Sequence, residues 1–426
     1  MNKRFYFGFL ALAMTIGLNA QSGTNSPYSQ YGIGVLSDQS SGFLRGMNGA
    51  GIGMRQGNVV NPLNPASYSS IDSLTMIFDL GVSGQITNFR EDGANGAVSV
   101  NAKNANFEYA LGSFRLIRRV GMAFGLLPYS NIGYKYTTST KLDDVNGTVT
   151  ETYQGSGGLH QLFLGAGWQI TKPLSVGVNV SYIWGDLSRT VTSSNTTYIN
   201  SLARSYSSNV GSYKIDLGVQ YNHYFNKTDL LTIGATMNVG HKLTGDVACE
   251  VMNVNNNDTT SYKIANGYSI PMAYGLGLSW RHADKLLVNA DFTLQQWGKL
   301  DYPDINSNGQ YELQSGLLKD RYATTVGMDY VPDAYGRKLY QRIHYRLGAG
   351  YATPYYKING ADGPKEISVS AGLGIPLQNS YNNRSVLNVS AQWVQTSAPG
   401  LIKDNSFRVN IGLTFNERWF AKWKVE

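Results

Sequence analysis

The chain has 426 residues, of which 15% are charged, and its formal net charge at pH 7 is +7. It contains 48 Gly, 29 Tyr and 7 Trp, but one Cys. So low a charged fraction argues against a coiled coil or a disordered chain, and the single cysteine excludes a disulfide scaffold and a zinc site built from Cys clusters. The positive excess is spread along the chain, so we expect no nucleic-acid partner. Abundant Gly and Tyr beside few helix formers predict an all-β protein.

The first twenty residues have the features of an export signal. Lys3 and Arg4 form a basic start, and the apolar run Phe5–Leu18 that follows is too short to cross a membrane. The small residues before the cut predict cleavage between Ala20 and Gln21. Beyond this signal the sequence has no apolar run long enough for a membrane helix. The exported protein is therefore expected to be either soluble or a membrane β-barrel.

Apolar and polar residues alternate with a period of two after residue 72. One such series is Leu174, Val176, Val178, Val180, Tyr182 and Trp184. In a β-strand this period places the apolar side chains on one face and the small or polar ones on the other. Several runs also end in an aromatic residue, as at Trp168, Trp280 and Trp393. Aromatic ends and a polar opposite face are typical of a barrel whose apolar side faces lipid.

Fourteen strands are predicted, at residues 75–90, 104–117, 120–140, 148–170, 174–191, 204–225, 230–253, 260–282, 286–302, 318–331, 341–359, 365–378, 384–397 and 402–415. Connections after even-numbered strands are mostly short, and those after odd-numbered strands are mostly longer, which is typical of bacterial outer-membrane barrels. We therefore predict a transmembrane antiparallel β-barrel over residues 73–415, a tail at 416–426 and both termini in the periplasm. The alternative, a soluble β-sandwich, has no reason to alternate its loop lengths.

Residues 21–72 precede the first strand and do not read as a strand themselves. The segment is rich in Gly, Asn, Ser and Pro but also carries many short apolar patches. A barrel of about fourteen strands encloses more space than its own side chains readily fill. We predict that this segment is an N-terminal hatch, or plug, inside the lumen. A disordered periplasmic tail is the alternative, but such a tail would carry fewer apolar residues.

Two runs in this segment carry a family resemblance. Gly46-Met47-Asn48-Gly49-Ala50-Gly51 is a run of small residues that lets a backbone approach a wall closely. Asn-Pro pairs follow, and prolines and asparagines of this kind fix turns. The two runs resemble the hatch of FadL-like outer-membrane transporters, which typically reads GMGGAG and later Asn-Pro-Ala. The candidate hatch residues are Gly46, Met47, Gly49, Ala50, Gly51, Asn61, Pro62, Asn64, Pro65 and Ala66. Asn48 departs from the family pattern, in which a second Gly is common.

The resemblance implies a function as well as a fold. FadL-like proteins are fourteen-stranded barrels that pass long-chain fatty acids and other hydrophobic compounds across the outer membrane. The runs 28–34 and 416–420 are similar to a Bacteroidota branch, in which FadL-like barrels also include subunits of secretion or barrel-assembly complexes. We therefore favour a transporter of hydrophobic compounds, and a non-transporting subunit of an assembly or secretion complex is the alternative. The expected partners are outer-membrane lipid, fatty-acid-like molecules, other outer-membrane barrels or lipoproteins, and the barrel assembly machinery during biogenesis.

Signals for an enzyme or a cofactor are weak in this sequence. No H-E-x-x-H, G-x-S-x-G or phosphate-loop motif occurs, so we expect neither catalysis nor a cofactor. The run 304–309 resembles the opening of a calcium loop, but Ser315 stands where the bidentate Glu would be, so no metal is expected. Four charged residues on polar strand faces are candidates for lining the lumen: Lys214, Asp216, Asp291 and Asp329. For Lys214 and Asp216 a mutually satisfied pair is the simpler interpretation.

Overall fold

The computed structural model describes residues 23–93, 96–142, 147–195, 202–253, 258–306, 308–377 and 385–418. The predicted signal peptide and its cleavage site at Ala20 and Gln21 lie outside these ranges. Among the helices of the described ranges, none combines the length and the apolarity that a membrane-spanning helix needs.

The predicted fold class is confirmed, because the described strands form a closed antiparallel barrel of 14 strands. The first barrel strand pairs with the last, from Thr75 opposite Arg418 to Arg90 opposite Lys403, which closes the sheet on itself. In chain order the barrel strands are β2 (Thr75–Gly93), β3 (Gly96–Ile117), β4 (Val120–Leu142), β5 (Gly147–Gln169), β6 (Leu174–Asn195), β7 (Leu202–Tyr224), β8 with β10 (Asp229–Asn238 and Val247–Asn253), β11 with β13 (Asp258–Ile264 and Ala273–His282), β14 (Leu286–Gln295), β17 (Arg321–Tyr330), β18 (His344–Ala352), β21 (Lys365–Leu377), β22 (Ser385–Ser397) and β23 (Lys403–Arg418).

The remaining elements are short. The other strands are β1 (Val35–Leu36), β9 (His241–Lys242), β12 (Ser269–Ile270), β15 (Tyr302–Ile305), β16 (Tyr311–Gln314), β19 (Lys357–Ile358) and β20 (Ala361–Asp362). The helices are α1 (Gly42–Arg45) and α2 (Leu339–Arg342), with 3₁₀ turns at Pro27–Gln30, Pro65–Ser70 and Trp297–Lys299. We call the end where Arg118 and Arg119 join β3 to β4 the turn end, and the opposite end, where β10 meets β11, the hairpin end.

The alternation in the sequence explains which face of each strand is buried. On β13, Leu276, Leu278 and Trp280 are 59%, 50% and 40% exposed, whereas Ser279 between them is 4% exposed. The same inversion, with apolar groups outside and polar groups inside, recurs on β6, β21 and β23. A soluble protein would leave this apolar belt in water, but hydrocarbon tails cover it without cost.

A charge placed in this belt should be costly only at membrane depth. We expect Leu278→Arg, at the middle of β13, to destabilise the barrel by about 2–4 kcal/mol, because Arg at the bilayer midplane loses its hydration. Val98→Arg is the matched control, since Val98 is 63% exposed near the tip of the β2–β3 hairpin and lies above the lipid. The measurement is the denaturant midpoint of each variant refolded into lipid vesicles. Equal midpoints would contradict a lipid-facing belt.

The seventh and eighth strands differ from the prediction, because each is interrupted. Residues 239–246 and 265–272 leave the wall and pair with each other as β9 and β12. Pro271 has no amide to donate to a ladder, and Asn266 has a left-handed φ of 51°. The bend carries Leu243 and Ile270 into the buried cluster of the lumen, where they are 1% and 0% exposed.

The predicted loops at the hairpin end are largely strand. Residues 91–103 were expected as a loop, yet β2 continues to Gly93 and β3 begins at Gly96. Similarly, β6 runs to Asn195 and β7 begins at Leu202. Ser, Thr and Asn are common in these stretches. A hairpin with water on both faces does not need an apolar face, so such polar stretches can still form strands. At the turn end, the connection 331–343 is longer than predicted and contains α2, and β23 ends at Arg418 rather than at Phe415.

The wall is also interrupted between β3 and β4. These strands pair only from Ala110 opposite Leu126 to Ile117 opposite Val120, next to the turn end. Farther toward the hairpin end, the described parts of β3 and β4 do not pair with each other, and β4 pairs instead with β1. The barrel is therefore split between these strands over its hairpin half.

Candidate functional site

The segment Ser40–Asp72 packs against the inward, buried face of the barrel strands. Helix α1 contacts β2, β21, β22 and β23, and the 3₁₀ turn Pro65–Ser70 contacts β3 to β7 on the other side. Its apolar side chains are buried, with Leu44, Met47, Met54 and Val60 all at 0% exposure. This segment therefore spans the lumen near the turn end from one wall to the other. That it acts as a hatch remains a prediction.

Glycines of the wall allow this close packing. A Cβ on Gly121 would lie 1.9 Å from the Tyr68 carbonyl oxygen, and one on Gly177 would lie 2.3 Å from the Pro65 carbonyl carbon. Several of these glycines face each other across neighbouring strands and form a ladder around the inside of the barrel. The ladder comprises Gly121, Gly167, Gly177, Gly218, Gly234, Gly277, Gly327 and Gly348. The segment Ser40–Asp72 lies directly on the strand backbones at these positions, mostly through its own backbone.

Two polar side chains of β14 hold the Gly-rich run. Asp291 accepts hydrogen bonds from the amides of Gly51 at 2.6 Å and Ile52 at 2.9 Å. Asn289 donates to the carbonyl oxygen of Ala50 at 3.1 Å. Since Asp291 is 5% exposed, its charge is compensated by these amides rather than by water.

The rest of the run is fixed to β17, β18 and β21. Met47 lies over Gly327 and Gly348, where an added Cβ would come within 2.5 Å of its atoms. Ser370 donates to the carbonyl oxygen of Gly46 at 3.1 Å. Gly49 has a left-handed φ of 80°, which favours glycine.

Asn48, which replaces the Gly that is common in the family pattern, suits the backbone conformation at its position. Its φ of 55° is left-handed, a conformation that Asn tolerates better than most residues. Its side chain donates to Ser368 at 2.9 Å and accepts from Gln392 at 2.9 Å. Asn48 therefore keeps the backbone conformation that a glycine would adopt and adds two bonds to the wall.

The Asn-Pro pairs fold the segment back on itself. Asn61 donates to the carbonyl oxygen of Gly51 at 2.7 Å. Asn64 accepts from the amide of Ala66 at 3.1 Å, which caps the 3₁₀ turn, and donates to the carbonyl oxygen of Ile52 at 2.9 Å. Pro65 occupies the first position of that turn, where its missing amide is not needed. The carbonyl oxygen of Pro62 accepts a longer bond of 3.4 Å from Asn179.

A buried ion pair links the segment to β3. Arg45, at the end of α1, lies 2.9 Å from Glu108, and their side chains are 2% and 7% exposed. Ser83 also donates to Glu108, and Arg45 donates to Asn410 at 3.3 Å. The cleft beside this pair is too narrow to admit a water molecule. The pair thus replaces hydration with direct contacts.

A second charged group lies on β17 and β18, also beside α1. Arg346 donates to Asp329 at 2.9 Å, and His344 lies 2.9 Å from the same carboxylate. The Arg346 guanidinium lies 3.8 Å from the centre of the Phe43 ring, a cation–π contact with α1. Asp329 therefore positions an arginine that contacts the inner segment and is not a free charge in a channel.

Lys214 and Asp216 form a pair on β7, 2.6 Å apart, and Asn238 donates to the same carboxylate at 2.8 Å. Among the groups of the inner segment, Arg55 donates to Ser69 at 2.9 Å and Ser175 at 2.8 Å. Burial lowers the pKa of Arg55 to about 10. All four predicted lumen residues, including Lys214 and Asp216, lie on the inner wall and form hydrogen bonds or ion pairs with neighbouring groups.

Gly23–Gln39, which we call the strap, lies in the hairpin half of the barrel at the split between β3 and β4. Tyr28 and Ile33 of the strap are 5% and 2% exposed in a cluster that also includes Leu243 and Ile270. The cluster is rich in tyrosine and also contains Trp297. It occupies the hairpin half of the lumen, as Ser40–Asp72 occupies the turn half.

The described residues contain no group of three or more His, Cys, Asp or Glu side chains that could hold a metal ion. In the calcium-like run, Asn306 accepts from the amides of Asn308 and Gln310 at 2.9 Å and so closes its own turn. A cavity of about 250 Å³ beside the bend of the seventh and eighth strands is lined by His241, Lys242 and Lys299 and by apolar groups such as Ile270, Met272 and Leu300.

Several solved structures of other proteins have a fold similar to that of this chain. A FadL homologue of Pseudomonas aeruginosa matches with a TM-score of 0.60 and 11% identity, covering 90% of this chain and 99% of that one. The toluene transporter TbuX of Ralstonia pickettii matches at 0.59 and 14%, covering 88% and 98%. The toluene transporter TodX of Pseudomonas putida matches at 0.60 and 14%, covering 89% and 98%. The chain therefore has the fold of FadL-type outer-membrane barrels.

Sequence comparison gives a family. Among curated proteins, none matches this chain. The sequence model of the BamG family matches residues 1–426, which is the whole chain. The chain therefore belongs to the BamG family.

Proposed function

We propose that this protein is a non-transporting barrel that serves as a structural subunit of an outer-membrane protein assembly or secretion complex. The observation that carries the proposal is the filled lumen: Ser40–Asp72 occupies the turn half and the tyrosine-rich cluster the hairpin half. Membership of the BamG family along the whole chain supports it. A barrel that is sealed by its own chain offers its outer wall and its two ends to other proteins.

The contacts of the inner segment make spontaneous opening rare. Separating Arg45 from Glu108 would leave a buried charge, which costs about 3–5 kcal/mol in other proteins. Since about 1.4 kcal/mol changes a population ratio tenfold, this cost alone leaves the open state populated at roughly one part in 100 to one part in 4,000. Asp291, Asn48 and Arg346 add further contacts. The segment is thus held as a structural part rather than as a loosely seated gate.

Transport of hydrophobic compounds is the second candidate function. The fold similarity to TbuX and TodX, which are named toluene transporters, favours it. The cavity of about 250 Å³ argues against it, because it is smaller than most ligand pockets. Transport would further require the inner segment to move.

Native mass measurement after extraction in mild detergent separates the two functions. A stable complex with an assembly or secretion barrel supports the structural role, and a lone barrel supports transport. As a second arm, uptake of a labelled fatty acid should be the same in cells with and without the protein. Uptake that depends on the protein and is lost when residues 40–66 are deleted, together with a lone barrel in native mass, would overturn the structural role. A small hydrophilic dye controls for general leakage.

The proposed role also implies the membrane in which the barrel lies and its orientation there. We infer that it lies in the outer membrane of a Gram-negative bacterium of the Bacteroidota type, with lipid around the apolar belt. Thr75 pairs with Arg418, so the first and last strands begin and end at the turn end. Delivery from the periplasm favours a periplasmic position for this end, and with it for the end of the last strand, whereas Gly23 lies in the hairpin half of the barrel. Other outer-membrane barrels or lipoproteins are the partners that this role requires.

A further inference from the structure

The cavity beside the bend of the seventh and eighth strands has two sides. One side is lined by the β9–β12 pair, in which Lys242 lies opposite Ser269. The other side is lined by the connection that follows β14, which contributes Lys299. The volume of about 250 Å³ corresponds to roughly eight water molecules. The cavity can therefore admit a headgroup-sized ligand rather than a long hydrocarbon chain.

Both lysines that line the cavity stand on anchored segments. The bend that carries Lys242 is fixed by the next residue, Leu243, which is buried in the tyrosine-rich cluster. The 3₁₀ turn that carries Lys299 is fixed by Trp297, which is buried in the same cluster and donates to Gln295 at 2.8 Å. The two ammonium groups therefore start from backbone positions that the fold already sets, so less order has to be imposed when a ligand binds.

The charge of these two lysines is not balanced by direct partners. Within the described part of the chain, the ammonium groups of Lys242 and Lys299 have neither an ion pair nor a hydrogen bond. Asp301 is the one carboxylate among the described residues that line the cavity, so two positive charges face one negative charge. Lysine binds phosphate as a point charge. A phosphate group therefore suits the charge of this cavity.

The cavity lies at the height of the lipid headgroups. β13 and β14 pair over 10 residues from the turn end, and their ladder stops at Ala273 opposite Gln295. At about 3.4 Å per residue and a tilt of about 40°, this ladder rises roughly 26 Å, while the apolar band of such barrels is about 25 Å tall. The cavity begins with the next residues, Met272 and Gln296. It therefore lies where the hydrocarbon layer ends and the headgroups of the leaflet at the hairpin end begin.

The lipid-facing side of the wall reaches the edge of the cavity. Tyr213, which is 52% exposed on the outward face of β7, stacks on His241 with 4.1 Å between the ring centres. Tyr274, two residues beyond Met272, is exposed on the outward face of β13. Aromatic rings on the outside of a barrel favour the level of the headgroups. A lipid that lies against these rings has its headgroup beside the cavity.

We propose that this cavity binds the phosphate group of an outer-leaflet lipid, with Lys242 and Lys299 as its cationic contacts. The proposal rests on the orientation inferred above, in which the hairpin end faces the cell exterior, and it goes beyond the structural role because it needs no partner protein. Basic pockets on membrane proteins bind charged lipid headgroups in a similar way. A lipid held there covers the indentation that the bend makes in the wall.

Lipid binding can be measured on the purified barrel in detergent, by native mass spectrometry of its complexes with monophosphoryl lipid A. We expect Lys242→Gln/Lys299→Gln to weaken the apparent affinity at least about tenfold, because both cationic contacts are lost. Lys263→Gln/Lys319→Gln is the matched control, since it removes the same charge at the same end of the barrel from lysines that already pair with carboxylates. The control should keep the wild-type affinity.

A third variant and two further probes sharpen the test. Asp301→Asn removes a carboxylate that repels phosphate, so it should raise the affinity about threefold. The same glycolipid without its phosphate and inorganic phosphate alone should both bind much more weakly than monophosphoryl lipid A. Equal binding of the dephosphorylated lipid, equal binding of inorganic phosphate, or an unchanged affinity of the lysine double variant would each overturn the proposal.

The outcomes are distinguishable from those of the proposed function. The heat-dependent gel mobility of a folded barrel shows whether each variant has folded, and Asp301→Asn decides by the same affinity if the lysine double variant does not fold. The structural role is judged by the protein partners that remain after mild extraction, which do not depend on this cavity. A barrel that keeps its partners but does not bind the phosphorylated lipid contradicts the lipid site alone.

Discussion

Replacing Arg45 with Met is expected to lower the free energy of unfolding by about 3–5 kcal/mol, because it leaves Glu108 charged and buried without its partner. The substitution keeps most of the side-chain volume, so lost packing contributes little. We expect the inner segment to loosen before the barrel unfolds, since the barrel ladder does not involve Arg45. Urea titration in lipid vesicles measures the loss, and trypsin cleavage after Arg55 reports on the segment itself.

The control for this prediction removes both charges. The double variant Arg45→Met/Glu108→Gln should recover most of the lost stability, because a neutral amide at position 108 still accepts from Ser83 and no longer needs a cation. A double variant as unstable as the single one would show that the cost lies in shape. Stability of Arg45→Met equal to that of the wild type would contradict the ion pair as an anchor.

A methyl group on the glycine ladder is expected to have a comparable effect. In Gly121→Ala the new Cβ would lie 1.9 Å from the carbonyl oxygen of Tyr68, far inside van der Waals contact. Because both atoms belong to backbone-fixed positions, the 3₁₀ turn Pro65–Ser70 must shift, at a cost of about 3 kcal/mol. Faster trypsin cleavage after Arg55, whose side chain bonds Ser69 in that turn, would show the shift.

Gly84→Ala provides the matched comparison for this substitution. Gly84 lies on the outward face of β2, where an added Cβ meets nothing within 4 Å. It should leave the rate of trypsin cleavage at the wild-type value. If both glycine variants behave alike, the ladder does not hold the inner segment.

The barrel could be predicted because its signal is local. The period of two along β6 or β23 depends on neighbouring residues only, and the closure of the sheet follows from the strand count. The bend of the seventh and eighth strands was missed, although Pro271 and the Asn266-Gly267 pair mark it, because alternation continues on both sides of the bend. The strap was not separated from the rest of the N-terminal segment for a different reason. Its pairing with β4 joins residues that are almost a hundred positions apart.

The contacts of the inner segment were predictable in part. The Gly-rich run and the Asn-Pro pairs indicated close packing, and Asp291 was identified as a residue of the inner wall. Arg45 and Glu108 were missed, because a partner 63 positions away leaves no mark in a single sequence. The glycine ladder was missed as well, since each member looks like an ordinary small residue of an alternating strand. Only the cross-strand register aligns these glycines.

The unequal lengths of the barrel strands give the molecule a high side and a low side. β3 has 22 residues and β17 has 10. At about 3.4 Å per residue and a tilt of about 40°, these correspond to heights of roughly 57 Å and 26 Å. The short strands match the thickness of the hydrocarbon layer, so the long strands extend beyond this layer at the hairpin end, on one side of the barrel. A protein that approaches along the membrane therefore meets the extended long strands on one side of the barrel and only the ends of the short strands on the other.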